Sequence, residues 1–339
     1  MARPTVFVTR PLPGDALELL RRQTDVRLWD DELPPPREEL LARSEGCHGL
    51  LTLLTDRVDA ALLDAAPDLV VVSNMATGFD NIDVAAAGAR NVLVTRTPGV
   101  LTETTADFTF ALLLAAARRV PEADRYVRAG RWQTWGPSVL LGRDVYGATL
   151  GIVGLGEIGT EVAKRARGFG MRVLYYSRSR KPSLERRLRL TFVPFDELLR
   201  ESDFVTLHTP LSDETRGLIG RRELRLMKDT AILVNTGRGP LVDHDALCDA
   251  LKWNRIGGAA LDVTDPEPLP PGDPLLEFDN VVVAPHIASA SVATRGRMAR
   301  LAAENLLAAI AGEVPKDTVN RNIATAWRAA RRERLGALA

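Results

Sequence analysis

Six residues, Gly154-Leu155-Gly156-Glu157-Ile158-Gly159, constrain the fold of this chain more than any others. The apolar run Leu150-Gly151-Ile152-Val153 precedes them and a helix-like segment, Thr160 to Phe169, follows. A second strand-like run, Arg172-Val173-Leu174-Tyr175-Tyr176, comes next. A tight glycine turn between strand and helix lets backbone approach a pyrophosphate, whose charge then lies at the helix N-terminus. Glycines are common in turns, so G-x-G-x-x-G alone is a weak signal. The strand before and the helix after supply the context that gives it meaning. The expectation is a βαβ unit that binds a dinucleotide.

The rest of the chain alternates in the same way. Thr5–Thr9, Gly49–Leu53, Leu69–Ser73 and Val92–Thr95 read as strands, with helical spacing at Ala16–Arg22 and Ala60–Ala65. Such alternation predicts an α/β fold, a parallel sheet with helices on both faces. Pro98-Gly99 then punctuates the chain before a long helix from about Thr102 to Arg119. A second series starts at the glycine turn and continues through strands at Asp203–Leu207, Ala231–Val234, Gly258–Leu261 and Val281–Ala284. The helical stretch Ala290–Ala311 has no further strand to serve there and is expected to return to the first domain. Residues 323–339, rich in Arg and Ala, read as a helical or frayed tail.

Composition narrows the function classes. A chain of 339 residues exceeds one ordinary core, so two domains are expected. Acidic and basic residues balance at 44 each, giving no electrostatic reason for nucleic acid or an anionic membrane as partner. Cys47 and Cys248 form no C-x-x-C pair, so neither a disulfide framework nor a zinc site is expected. The N-terminus runs into a strand without a secretory apolar region, and no apolar run approaches about 18–20 residues. A cytoplasmic protein is the expectation.

In open α/β sheets ligands bind beyond the carboxyl ends of the strands. His208 and His286 both directly follow strand-like runs, whereas His48 precedes one and His244 sits at a helix start. Position alone does not choose between His208 and His286. Arg238 lies in Asn235-Thr236-Gly237-Arg238-Gly239, also past a strand, and Glu267 is held between Pro266 and Pro268. Each has an ordinary reading as a structural or solvated residue. Together they match the reduction of a 2-oxo acid, which needs a proton donor, a cation for the substrate carboxylate and a nicotinamide. Histidine serves as donor when a carboxylate holds it protonated, and arginine offers a planar fork matched to a carboxylate.

Ordered motifs along the chain carry a resemblance. They are Gly78-Phe79-Asp80-Asn81-Ile82-Asp83, the glycine turn, His208-Thr209-Pro210-Leu211, Asn235 to Gly239, Ala260 to Val263 through Glu267-Pro268, and Pro285-His286-Ile287-Ala288-Ser289. From Thr5 to Asn322 the chain resembles the D-isomer-specific 2-hydroxyacid dehydrogenase family, nearest its glyoxylate and hydroxypyruvate reductase branch. The resemblance implies two doubly wound parallel-sheet domains, Rossmann-like and flavodoxin-like, with the nucleotide domain inserted into the substrate domain. The boundaries so implied are 1–99 with 287–322 for the substrate domain, 100–286 for the NAD(P) domain and 323–339 for the tail.

The resemblance also distributes roles. It makes His286 the acid/base, Glu267 the carboxylate that tunes it and Arg238 the clamp on the substrate carboxylate. The backbone of Thr77 and Gly78, with Leu53, Ser289 and Trp135, is placed around the substrate, Trp135 reaching in from a neighbouring subunit of a homodimer. Cofactor contacts fall to Thr104, the turn Gly154, Leu155, Gly156, Glu157, Ile158 and Gly159, then His208, Thr209, Pro210, Thr236, Gly237, Arg238, Asp262, His286 and Ala288. The apolar, Trp-containing region Phe108–Tyr146 resembles the arm through which relatives dimerise.

Enzymes preferring NAD usually place Asp or Glu at the end of the second strand, on the ribose 2′-hydroxyl. Here Ser177 stands there, followed by Arg178-Ser179-Arg180-Lys181. With no carboxylate to repel a 2′-phosphate and three cations at hand, NADP(H) is expected over NAD(H), with NAD(H) still used. Thr77 replaces an apolar residue of relatives and is not the lysine of phosphite-oxidising ones, while Glu267 is not the glutamine of formate dehydrogenases. The rival readings are a corepressor of the same fold that uses the dinucleotide as a conformational ligand, and a dehydrogenase for a bulkier D-2-hydroxy acid.

Overall fold

Short runs of valine and leucine become parallel strands of two separate sheets in the computed structural model, which describes residues 3–336. One compact unit runs up to Leu101 and resumes at Ala290; the other is Thr102–Ser289.

The first unit holds β1 (Thr5–Val8), β2 (Asp25–Leu28), β3 (Gly49–Thr52), β4 (Val71–Asn74) and β5 (Leu93–Thr95). They pair in the order β2-β1-β3-β4-β5, all parallel. Every residue of β3, β4 and β5 is buried, which is why these strands read as continuous apolar runs. At the edge, β2 alternates exposed and half-buried residues, and its two charged side chains hid it from an apolar scan. The helix Val292–Ala311 packs on this sheet. Ser291 caps its N-terminus and Gly312, at φ 102°, ends it. The Ser73 hydroxyl donates to the Ala302 carbonyl at 2.7 Å, and Gly49 leaves room for the Leu306 side chain.

The segment set apart above as a tail is instead part of this unit. Its helix, Ala324–Gly336, buries Trp327 completely, with Nε1 donating to the Val70 carbonyl at 2.9 Å. Arg334 donates to the carbonyls of Leu69 (2.6 Å) and Arg90 (2.8 Å), and Arg331 donates to Ile310 at 2.8 Å. These arginines satisfy backbone acceptors that helix and strand ends leave open. The composition points to a helical or frayed tail; the helix forms, but composition does not reveal that its arginines dock it on this unit. Residues 337–339 lie outside the described chain.

The second unit holds β6 (Thr149–Val153), β7 (Arg172–Tyr176), β8 (Leu190–Phe192), β9 (Phe204–Leu207), β10 (Ile232–Asn235), β11 (Gly258–Leu261) and β12 (Val281–Val283). Their order is β12-β11-β10-β9-β6-β7-β8, again parallel. Chain direction across the sheet reverses between β6 and β9, where such a sheet opens a binding crevice. Register sets Val153, Leu207, Asn235, Leu261 and Val283 side by side, so five carboxyl ends stand level. One face packs on Phe110 and Leu113 of the helix Thr102–Ala117 and Val162 of the helix Glu157–Gly168. The other face packs on Leu198, Leu224 and Leu247.

Replacing Trp327 by alanine should lower the urea-unfolding stability of the first unit by about 3–5 kcal/mol, the usual cost of deleting a buried large aromatic. Trp327→Phe loses chiefly one hydrogen bond, about 0.5–1.5 kcal/mol, because the Val70 carbonyl keeps the Leu93 amide as donor. An alanine variant as stable as the parent would show that the last helix contributes nothing.

Candidate active site

The glycine turn after β6 assigns each glycine a separate task. Gly154 sits at φ 97°, and a Cβ there would come within 2.7 Å of the His208 backbone. A Cβ on Gly159 would come within 2.2 Å of the Gly154 carbonyl, so only glycine lets helix and strand pack this closely. A Cβ on Gly156 would meet nothing within 4 Å; this glycine faces open space at the start of the helix Glu157–Gly168. As N-cap it offers no side-chain acceptor, which leaves first-turn amides for an anion. The Leu155 side chain is buried in the core, and half-buried Ile158 packs against it.

His208 follows β9 across the same crevice, its amide donating to the Val153 carbonyl at 2.8 Å. Its Nε2 is buried without a hydrogen-bond partner among the described residues. Burial pushes its pKa down to about 4, so the ring is neutral at physiological pH and is not a proton donor. An orphaned buried nitrogen beside a glycine cradle and an uncapped helix start fits a dinucleotide. Thr209 is half-buried next to it and Pro210 is exposed.

After β7 the Ser177 hydroxyl donates to the Ser179 carbonyl at 2.7 Å and closes the basic loop. Arg180 forks onto Glu185, at 2.9 Å from Nε and 2.8 Å from Nη2, and Glu185 also accepts from the Tyr175 hydroxyl. Arg178 is exposed and forms no ion pair among the described residues. Of the three cations read from sequence, Arg180 is thus already committed.

The chemistry-bearing side chains stand at the ends of β10, β11 and β12, which are neighbours. His286 Nδ1 lies 2.5 Å from Glu267 Oε1. That contact places the ring proton of Nδ1 towards the carboxylate and turns Nε2 away from it. His286 itself adopts φ 54°, the left-handed region that non-glycine residues avoid. Three hydrogen bonds impose it. The His286 amide donates to the Asp262 carbonyl (2.8 Å), and the Asp262 carboxylate accepts from the amides of Ile287 (2.7 Å) and Ala288 (2.9 Å). Burial raises the Asp262 carboxyl above its ordinary value, while those two amides favour its charge.

Arg238 is presented by a turn built on Asn235, whose Nδ2 donates to the Arg238 carbonyl and whose Oδ1 accepts from the Gly237 amide. A Cβ on Gly239 would fall 1.8 Å from the Thr264 carbonyl, so this turn rests directly on the start of the Glu267 loop. Thr236, read as a cofactor contact, spends its hydroxyl on Thr109 at 2.9 Å, tying β10 to the helix Thr102–Ala117. Thr104 lies in that helix and Ser289 just beyond the His286 turn. In the first unit, Leu53 and the pair Thr77 and Gly78 follow the adjacent strands β3 and β4. The Leu53 amide donates to Asp56 and the Thr77 hydroxyl to the Thr97 carbonyl. Trp135 is 79% exposed. The resemblance implies Asp262 as a cofactor contact. Its grip on residues 287–288 was missed, because a carboxylate acting on amides so far along the chain leaves no spacing signal.

The family described as "D-isomer specific 2-hydroxyacid dehydrogenase, NAD binding domain" matches residues 110–288. The chain is 55% identical over 322 residues to a glyoxylate reductase of Korarchaeum cryptofilum, covering 95% of this chain and 97% of that one. A crystal structure of a Thermus thermophilus protein superposes with a TM-score of 0.88 at 52% identity, covering 93% and 99% of the two chains. A Sinorhizobium meliloti NADPH-dependent glyoxylate/hydroxypyruvate reductase, crystallised with NADP and malonate, gives a TM-score of 0.83 at 33% identity over 94% and 97%.

Asp262→Asn turns an amide NH2 group towards one of the two backbone donors. Leaving that donor unsatisfied should cost about 1–3 kcal/mol, and hydrogen exchange at Ile287 and Ala288 should quicken. Unchanged protection there would mean that the carboxylate does not hold the turn.

Proposed function

Because the chain belongs to the D-isomer-specific 2-hydroxyacid dehydrogenase family, we propose that it reduces glyoxylate, and next hydroxypyruvate, to the 2-hydroxy acid with His286 as acid/base and NADPH preferred over NADH. The observation that carries this reading is the His286–Glu267 contact of 2.5 Å at the end of β12.

The reaction needs a hydride at the carbonyl carbon, which a bound reduced nicotinamide supplies. His286 Nε2 delivers the proton to the carbonyl oxygen, so the C=O bond becomes CH–OH. Glu267 fixes the tautomer and faces the charge that the ring carries as an acid. Arg238 holds the substrate carboxylate through its planar fork and sets the face presented to the hydride. Gly156 and the first-turn amides would hold the pyrophosphate of the bound cofactor. Neutral His208 offers a single hydrogen bond to the cofactor and no proton to the reaction.

Two finer points rest on the same unit. The preference for NADPH is supported by Ser177 in place of a carboxylate and by exposed Arg178. It is further supported by a similar protein described as NADPH-dependent. A homodimer is supported by exposed Val120, Val127, Trp132, Trp135, Leu141 and Tyr146 in one stretch of chain, since so many apolar groups on one arm favour association. Sedimentation at micromolar concentration is expected to give a dimer; a monomer would remove Trp135 from any shared site.

Following NADPH and NADH oxidation with glyoxylate and hydroxypyruvate tests the central reading. Turnover should be fastest with NADPH and glyoxylate. His286→Ala should bind cofactor yet lose turnover by at least about 10²-fold, the low end of general acid catalysis. Arg178→Ala should lower kcat/KM for NADPH by roughly 10–100-fold, the worth of a charge-assisted hydrogen bond of about 1.5–3 kcal/mol. Arg180→Ala should matter less, because Glu185 already holds that side chain. Cofactor binding without turnover on these or bulkier 2-oxo acids would favour a dinucleotide-sensing corepressor instead.

A further inference from the structure

A second constellation lies in the inserted unit, apart from His286, Glu267 and Arg238. His244 and Cys248 occupy consecutive turns of one face of the helix His244–Lys252. Asp273 approaches them from the far end of the proline-rich segment that begins with Thr264 and carries Glu267. His244 Nε2 is 3.1 Å from Asp273 Oδ2 and 3.7 Å from Cys248 Sγ. One ligand atom from each of the three residues lies within 4.8 Å of the others.

We propose that His244, Cys248 and Asp273 form a zinc site, completed by water, that staples the end of the Glu267 loop to the helix His244–Lys252. With bonds of about 2.0–2.3 Å to the metal, tetrahedral ligand atoms stand roughly 3.3–3.8 Å apart. Both measured separations from the His244 nitrogen are close to that range. Thiolate with imidazole and one carboxylate suits zinc and its congeners, not magnesium or calcium, which prefer all-oxygen sites. The Asp273 side chain is only 7% exposed and that of His244 22%, so the site is shielded from bulk water. Asp273 Oδ1 is fixed by the Leu275 amide at 2.9 Å, which orients the other oxygen towards His244. Burial, with the carboxylates of Asp273, Asp245 and Asp249, pushes the Cys248 thiol up to about 11, and a divalent cation would offset that negative charge. On binding, the Cys248 thiol proton leaves to solvent and the sulfur becomes the anionic ligand. A search for C-x-x-C overlooks this site, because its helical ligands follow an H-x-x-x-C spacing and its third comes from a distant loop.

Cobalt titration of chelator-stripped full-length protein tests the assignment. One equivalent should bind with a thiolate-to-cobalt charge-transfer band, and zinc should displace it. The band should vanish in Cys248→Ser and in His244→Ala and persist in Cys47→Ser. On the unmutated protein, zinc at about ten times its dissociation constant should slow alkylation of Cys248 roughly tenfold by mass action. Absence of the band, its survival in Cys248→Ser, or alkylation unaffected by zinc would each overturn the site and leave a plain His244–Asp273 contact.

Discussion

The carboxylate of Asp262 is the contact on which the catalytic end of the second unit depends. It accepts two consecutive amides, from Ile287 and Ala288, and so fixes the chain just after β12. The backbone of His286 is thereby kept in a left-handed conformation, which costs on the order of 1–3 kcal/mol at a non-glycine residue. Without that grip the imidazole would follow a relaxed backbone away from Glu267. A buried carboxyl group that accepts two adjacent amides can hold such strain, because leaving those donors unsatisfied inside the protein would cost more than the strained backbone does.

Around that point the sheet supplies position and the glycines supply proximity. Level strand ends in β9, β10, β11 and β12 bring His208, Arg238, Glu267 and His286 to one side of the sheet from loops far apart in sequence. Gly154 and Gly159 let β6 and its helix close together, and Gly156 leaves backbone amides uncovered. The two histidines that looked equivalent by position differ sharply in surroundings. His208 is half-buried, its Nε2 covered and its ring neutral, while His286 faces a carboxylate.

Much of this was legible beforehand, for identifiable reasons. Strands buried on both faces carry short apolar stretches with only small or polar residues at their ends, so β3, β4, β10 and the Gly-Ala-Ala-Leu of β11 could be read directly. Edge strands such as β2 and β8 carry charged or polar residues and escaped. The glycine turn was legible because its strand and helix flank it in sequence. The choice of His286 over His208 was not; it came from resemblance to a family, since burial and neighbours are properties of the fold. The docking of Trp327 and the meeting of His244 with Cys248 and Asp273 depend on contacts that composition does not encode.

The close approach at Gly239 has an evolutionary side. With the position of a Cβ only 1.8 Å from the Thr264 carbonyl, two loops from neighbouring strands share a boundary that admits hydrogen alone. The turn presenting Arg238 and the loop carrying Glu267 therefore cannot drift independently. A replacement in one is tolerated only when the other shifts, so divergence among relatives should proceed here by paired changes, with strong epistasis between residues 237–239 and 264–268. The same steric lock that aligns the two loops today narrows the mutational routes by which either could acquire a new substrate.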